Sequence, residues 1–162
     1  MLSDFIERVR QNHALEHATV SLLIARLGPD LRLVGRATGD GFYIYGGLPS
    51  AAVAESAREG LDRLQRGEAA WAVTPLCGTN LVTAGVLASL STLLVLGSAA
   101  RKDRVGNALV AGIAAVTAAQ PLGRLIQKHI TTSPALANVE IVSIDSRAGG
   151  RYHKVRTRRT TS

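Results

Sequence analysis

Leu81 to Ala100 runs for 20 residues without a charged side chain, and after the charged stretch Arg101-Lys102-Asp103-Arg104 a second uncharged run, Val105 to Leu122, adds 18 more. At 1.5 Å per helical residue the first run matches the thickness of a bilayer's hydrocarbon core. Two adjacent runs of that length are unusual in a soluble domain, so they predict a transmembrane hairpin over residues 80–123, with spans at 81–100 and 105–122. A buried soluble hairpin is the alternative. The second run is the weaker, being rich in Ala and Gly and holding Gln120-Pro121. Small residues four apart, Ala84 with Ala88 and Ala108 with Gly112, let two helices pack closely in lipid. A hairpin returns the chain to its starting side, so a strand after it can rejoin a sheet begun before it.

The remainder of the 162 residues is enough for one domain with a real core. Aromatics make up only 4% of the chain, so that core is built from small aliphatic residues. The formal charge of +7 is unevenly placed. Met1 to Thr79 holds 8 basic and 9 acidic residues, whereas Arg147 to Arg159 holds six basic residues and no acid. Such a basic tail suits anionic lipid headgroups, and without aromatic interleaving nucleic acid is not expected as a partner. The lone Cys77 cannot form an internal disulfide, which points to a reducing compartment. Mixed charges and no apolar run in the first ten residues argue against a cleavable signal peptide.

Taken in order, Ser3 is a candidate N-cap for a helix over Asp4–Leu27, with Phe5, Val9, Val20, Leu23, Ile24 and Leu27 at helical spacing and Gly28-Pro29 as the stop. Leu31–Arg36 and Gly41–Tyr45 alternate apolar and polar residues about Ala37-Thr38-Gly39-Asp40, which predicts a β-hairpin with Phe42 and Ile44 on one face and Tyr43 and Tyr45 on the other. Pro49-Ser50 opens a second helix, which buries Val53, Ala57, Leu61 and Leu64 and ends at Gly67. Trp71-Ala72-Val73 is expected as a third strand, Val139–Ile144 as another and Tyr152–Val155 as the last. The fold class expected is α+β: a small antiparallel sheet packed by two helices, interrupted by the membrane hairpin. Residues 1–79 and 131–162 form the sheet domain, the latter ending in the basic tail.

Within the first helix lies His13-Ala14-Leu15-Glu16-His17. Residues four apart on a helix share a face, so both imidazoles point the same way and can hold one metal ion. Glu16 stands beside them, able to act on a metal-bound water, in the order of the inverted zinc motif H-x-x-E-H. A catalytic zinc wants three protein ligands and a water, so one ligand is missing; Cys77, in a Gly-containing turn, is the candidate. A His/Glu surface on an amphipathic helix and a buried apolar cysteine are the plain alternatives. His129 and His153 are expected at the interface rather than as ligands.

His13-Ala-Leu-Glu-His17, Gly41-Phe42-Tyr43, Gly47-Leu48-Pro49-Ser50 and Cys77-Gly78-Thr79 come in the order and with gaps similar to those of the S-ribosylhomocysteine lyase (LuxS) family, over residues 10–80. The resemblance implies a fold shared with the insulinase and mitochondrial processing peptidase group. It implies a divalent metal, zinc or iron, on His13, His17 and Cys77, with Glu16 as general acid/base and a site built between two subunits, hence a homodimer. The family's second catalytic cysteine falls near Thr38, whose hydroxyl cannot shuttle protons near neutral pH as a thiol can. That departure argues against the lyase reaction itself. The pairing of these motifs with a membrane hairpin is similar to that of uncharacterised bacterial membrane proteins.

Leu81 follows Cys77 by four residues, which span at most about 14 Å, so a metal on Cys77 lies near the membrane surface. The function expected is a membrane-anchored metal-dependent hydrolase cleaving an amide or ester of a lipid or membrane protein, with both termini cytoplasmic. The alternatives are a non-catalytic metal-binding module and a structural, partner-binding membrane protein.

Overall fold

The two ends of the chain build an α+β unit and its middle builds a helical pair. The structure, a computed structural model, describes residues 1–97, 103–147 and 149–160. Arg101 and Lys102 of the expected charged turn, and residues 98–100 of the first apolar run, lie outside the described residues. The chain divides into Met1–Thr74 with Lys128–Ser162, and Pro75–Gln127.

In the first unit, α1 (Leu2–Leu27) is followed by β1 (Val34–Thr38), β2 (Gly41–Tyr45) and α2 (Ser50–Gln65), and then, after the intervening helical pair, by β3 (Val139–Arg147) and β4 (Tyr152–Arg159). The four strands form one antiparallel sheet in the order β1-β2-β4-β3, so the C-terminal strand rejoins the sheet beside β2. Strand alternation decides what each face carries. Phe42 and Ile44 on β2 and Val155 on β4 are fully buried and meet Leu15, Ala18 and Leu23 of α1 and Val53 and Ala57 of α2. Small residues let the helices close on one another: a Cβ at Gly60 of α2 would stand 3.1 Å from that of Ala18. The opposite face carries Tyr43, Tyr45 and Tyr152, with ring centroids 5.9 to 6.5 Å apart. The tyrosines thus cover the outer side of the sheet.

Several local expectations change. The first helix begins at Leu2 with Met1 as its cap and no side-chain bond, so Ser3 lies inside it. Gly28, at φ 105°, ends it where expected. The first strand starts at Val34 rather than Leu31 and runs through Thr38, leaving Gly39-Asp40 as the turn. Trp71-Ala72-Val73 is no strand: Ala69–Ala72 is a short 3-10 turn. The basic stretch is no free tail, because Tyr152–Arg159 is β4 itself, paired on both sides. His153 is a core residue, with Nδ1 2.7 Å from Ser146 Oγ and Nε2 3.0 Å from the Gly150 carbonyl.

In the second unit, α3 (Gly78–Gly97) and α4 (Arg104–Ile126) pair antiparallel. Asn80 lies against Gly123, where a Cβ would come within 2.1 Å of its Oδ1, and accepts a bond from Gln127. Midway, Ser91 Oγ reaches the Ala111 carbonyl at 3.3 Å and a Cβ at Gly112 would meet Thr92. Pro121 sits within α4 without ending it. Both helices are long and apolar enough to span a membrane; α4 continues through Thr131 as a π-type turn, giving 28 helical residues. Few of their residues are buried, which is unlike the core helix of a soluble domain.

Candidate metal centre

Eleven of the thirteen positions of α1 from Gln11 to Leu23 are buried, with His13 and Ser21 half-buried, so the histidine motif sits in the covered middle of the helix rather than on a wet face. Burial means that each polar group there must find a partner. His13 Nδ1 lies 2.9 Å from the Thr131 carbonyl, and His17 Nδ1 lies 2.7 Å from the Ala72 carbonyl. A carbonyl only accepts, so each Nδ1 carries a proton, and Nε2 is the ring nitrogen that each offers as a possible ligand atom. This is the arrangement that orients a histidine as a metal ligand, with a backbone carbonyl fixing tautomer and ring plane. The two rings stand edge to face at 4.3 Å. His17 Nε2 is buried with no hydrogen-bond partner among the described residues.

Glu16 completes the group. Its Oε2 is 3.8 Å from His13 Nε2 and 3.9 Å from His17 Nε2, beyond hydrogen-bond range of either. Burial raises its pKa to about 7, with His13 acting weakly in the opposite direction. A carboxyl that titrates near neutrality is matched to proton transfer at working pH. Space for it is made by β1: a Cβ on Gly35 would stand 1.7 Å from Glu16 Oε1. Any side chain there would displace the Glu16 carboxyl.

Cys77 lies at the start of α3, half-buried, with the Thr79 backbone N–H and hydroxyl 3.4 and 3.3 Å from its sulfur. It follows Ala72, the residue bonded to His17, by five positions. His13 and His17 thus stand in the first unit, and Cys77 belongs to the second. Two imidazoles on one helix face, with the buried Nε2 of His17 in want of a partner, are donors that suit a zinc or iron ion. Thr38 stands elsewhere. Its hydroxyl is 2.8 Å from Asp40 Oδ1 and 2.9 Å from the Gly41 carbonyl, and it accepts from Lys154 Nζ at 3.0 Å. His129 is exposed, and its backbone carbonyl accepts from Arg10.

The residues that position the site were less visible in sequence. The carbonyls of Ala72 and Thr131 have no sequence signature, and Gly35 carried only the weak signal of a glycine inside a strand pattern. Asn12 is a further support, donating to the Thr38 carbonyl at 2.8 Å and accepting from Thr157 Oγ1 at 2.6 Å, which ties α1 to β1 and β4.

Comparison with known proteins agrees on a single grouping. No solved structure matches the chain. An uncharacterised protein of Picosynechococcus sp. (strain ATCC 27264 / PCC 7002 / PR-6) is 37% identical over 93% of this chain and 79% of its own length. A family model described as a domain of unknown function, DUF6391, matches residues 8–144, a stretch that takes in the histidine motif, Cys77 and both apolar helices. The chain belongs to the DUF6391 family.

Proposed function

We propose that this protein is a membrane-anchored metal-dependent hydrolase acting at the membrane interface, with a zinc or iron ion on His13, His17 and Cys77 and Glu16 as the general base. The observation that carries the reading is the fixed pair of imidazoles, each with Nδ1 on a carbonyl and Nε2 toward a buried carboxyl of pKa about 7. The bound ion would supply Lewis acidity, lowering the pKa of its water and polarising the scissile carbonyl. Glu16 Oε2 takes a proton from the attacking water and returns it to the leaving amine or alkoxide, so no net proton is consumed in cleavage. The carbonyls of Ala72 and Thr131 hold the imidazole planes during that exchange. The likeness of residues 10–80 to the S-ribosylhomocysteine lyase family, with its fold and its subunit-bridging dimer, is part of this proposal and rests on motif order.

The substrate would be an amide or ester of a lipid or of a membrane protein segment, because α3 begins one residue after Cys77. Both termini are assigned to the cytoplasm, in keeping with the unpaired thiol and the basic C-terminal strand. A second reading has one observation in its favour: Glu16 is near enough to both Nε2 atoms to serve as a fourth ligand in a non-catalytic metal module. Glu16→Gln separates the two. For the hydrolase, the variant keeps its metal and loses turnover of ester and amide lipids presented in mixed micelles, by a factor of roughly 10² or more. For the module, the variant loses metal affinity and neither protein turns over substrate.

A further inference from the structure

The N-terminal half of α1 exposes apolar side chains that the core does not use. Leu2 is 74% exposed, Phe5 48% and Ile6 49%, and Val9 is half-buried. Positions 2, 6, 9 and 13 recur at helical spacing, so Leu2, Ile6 and Val9 form one stripe that leads to His13. Between Leu2 and His13 the helix rises about 16 Å. Exposed apolar stripes of this kind mark a surface that something covers.

The unit's own hydrogen bonds indicate what covers it. Arg10 Nη2 donates to the carbonyls of His129 and Thr132 at 3.2 and 3.0 Å, Ser133 N donates to the Arg10 carbonyl at 3.1 Å, and His13 Nδ1 donates to that of Thr131. Residues 129–133 are therefore fastened along α1 beside the stripe. They are also the direct continuation of α4, the 28-residue apolar helix ending at Thr131. Ile130 in this segment is itself 64% exposed. The chain that would leave a bilayer at the end of α4 is thus fastened to α1 within a few residues of sequence, and Arg8, Arg10 and Lys128 are the basic residues of these two stretches.

We propose that Leu2, Ile6 and Val9, with Ile130, are seated in the interfacial layer of the bilayer, so that α1 lies on the membrane with the half-buried His13 at the inner end of the stripe. This rests on reading α3 and α4 as membrane spans, and it deepens the proposed function by having substrate enter from the bilayer side. An interfacial helix of this type buries its apolar face at the boundary between headgroups and acyl chains. The outer face of the sheet, where Arg36 lies exposed, stays in water.

The test installs a diazirine amino acid in place of Leu2, Ile6, Leu94 or Arg36 in the full chain, reconstituted in vesicles of phosphatidylcholine and phosphatidylglycerol. Lipid adducts are read by mass spectrometry after illumination. Leu94, exposed on α3, reports on the span alone. The expected result is lipid adducts at Leu2, Ile6 and Leu94, with roughly tenfold less at Arg36. Adducts at Leu94 with only water or a second copy of the chain captured at Leu2 and Ile6 would overturn this inference and leave the spans standing. Absence of lipid adducts at Leu94 as well would overturn both.

Discussion

Glu16 is the residue on which most of the chemistry depends, and its burial has a thermodynamic consequence. An acid whose pKa is raised on folding keeps its proton in the folded chain at a pH where the unfolded chain has released it. Glu16 is therefore expected to cost the metal-free protein nothing below pH 4.5 and progressively more as the pH rises toward 7, by about 3 kcal/mol over that window. Chemical denaturation of the metal-free protein across this range checks it, and Glu16→Gln should flatten the slope. Gly35→Ala is the steric counterpart: the new methyl would occupy the place of the Glu16 carboxylate, displacing it and costing about 1–3 kcal/mol. Thermal melting of the variant reads that cost. At this scale the motif was legible, because two histidines four apart on a helix can only share a face. The partners that fix their tautomers were not legible, since Ala72 and Thr131 contribute backbone carbonyls that any residue has.

At the scale of elements, β4 was the least legible strand. Its inward positions are His153, Val155 and Thr157 and its outward ones Tyr152, Lys154, Arg156 and Arg158, so the alternation is present but only one inward residue is aliphatic. Read by charge alone it resembles a tail; paired between β2 and β3 it is central to the sheet. Its basic residues are spent partly within the domain. Lys154 Nζ is buried against Asp40 Oδ1 at 2.8 Å and over the Tyr43 ring at 4.2 Å, and that contact, first of all its hydrogen bond, holds the Asp40 carboxyl below its ordinary pKa. Arg158 bonds Glu140. Among the described residues, Asp40→Ala leaves the buried ammonium with Thr38 and Tyr43, and urea denaturation should show a loss of about 1 kcal/mol, modest because Asp40 itself is largely exposed. Phe42→Ala, in the centre of the same sheet, is expected to cost about 3–5 kcal/mol by the same measurement. The helical pair was legible because an uncharged run of spanning length has few other uses, whereas three apolar residues at 71–73 were too short to separate a strand from a 3-10 turn.

At the scale of the molecule, one α+β unit is interrupted by two helices that can cross a bilayer; of the proposed metal ligands, His13 and His17 belong to that unit and Cys77 to the start of the interruption. The account expects the protein to stay with the membrane pellet through alkaline carbonate washing, and Leu94→Arg on the exposed surface of α3 to reduce that fraction. Its central claim is the His-His-Cys metal site, and metal content tests that most directly. The native chain, purified in detergent without added metal, would be compared by mass spectrometry with Cys77→Ala and His17→Ala. The account predicts near-stoichiometric zinc or iron in the native chain and a sharp fall in both variants. A folded, freshly prepared native chain that carries no metal, or variants that carry as much as the native, would contradict it.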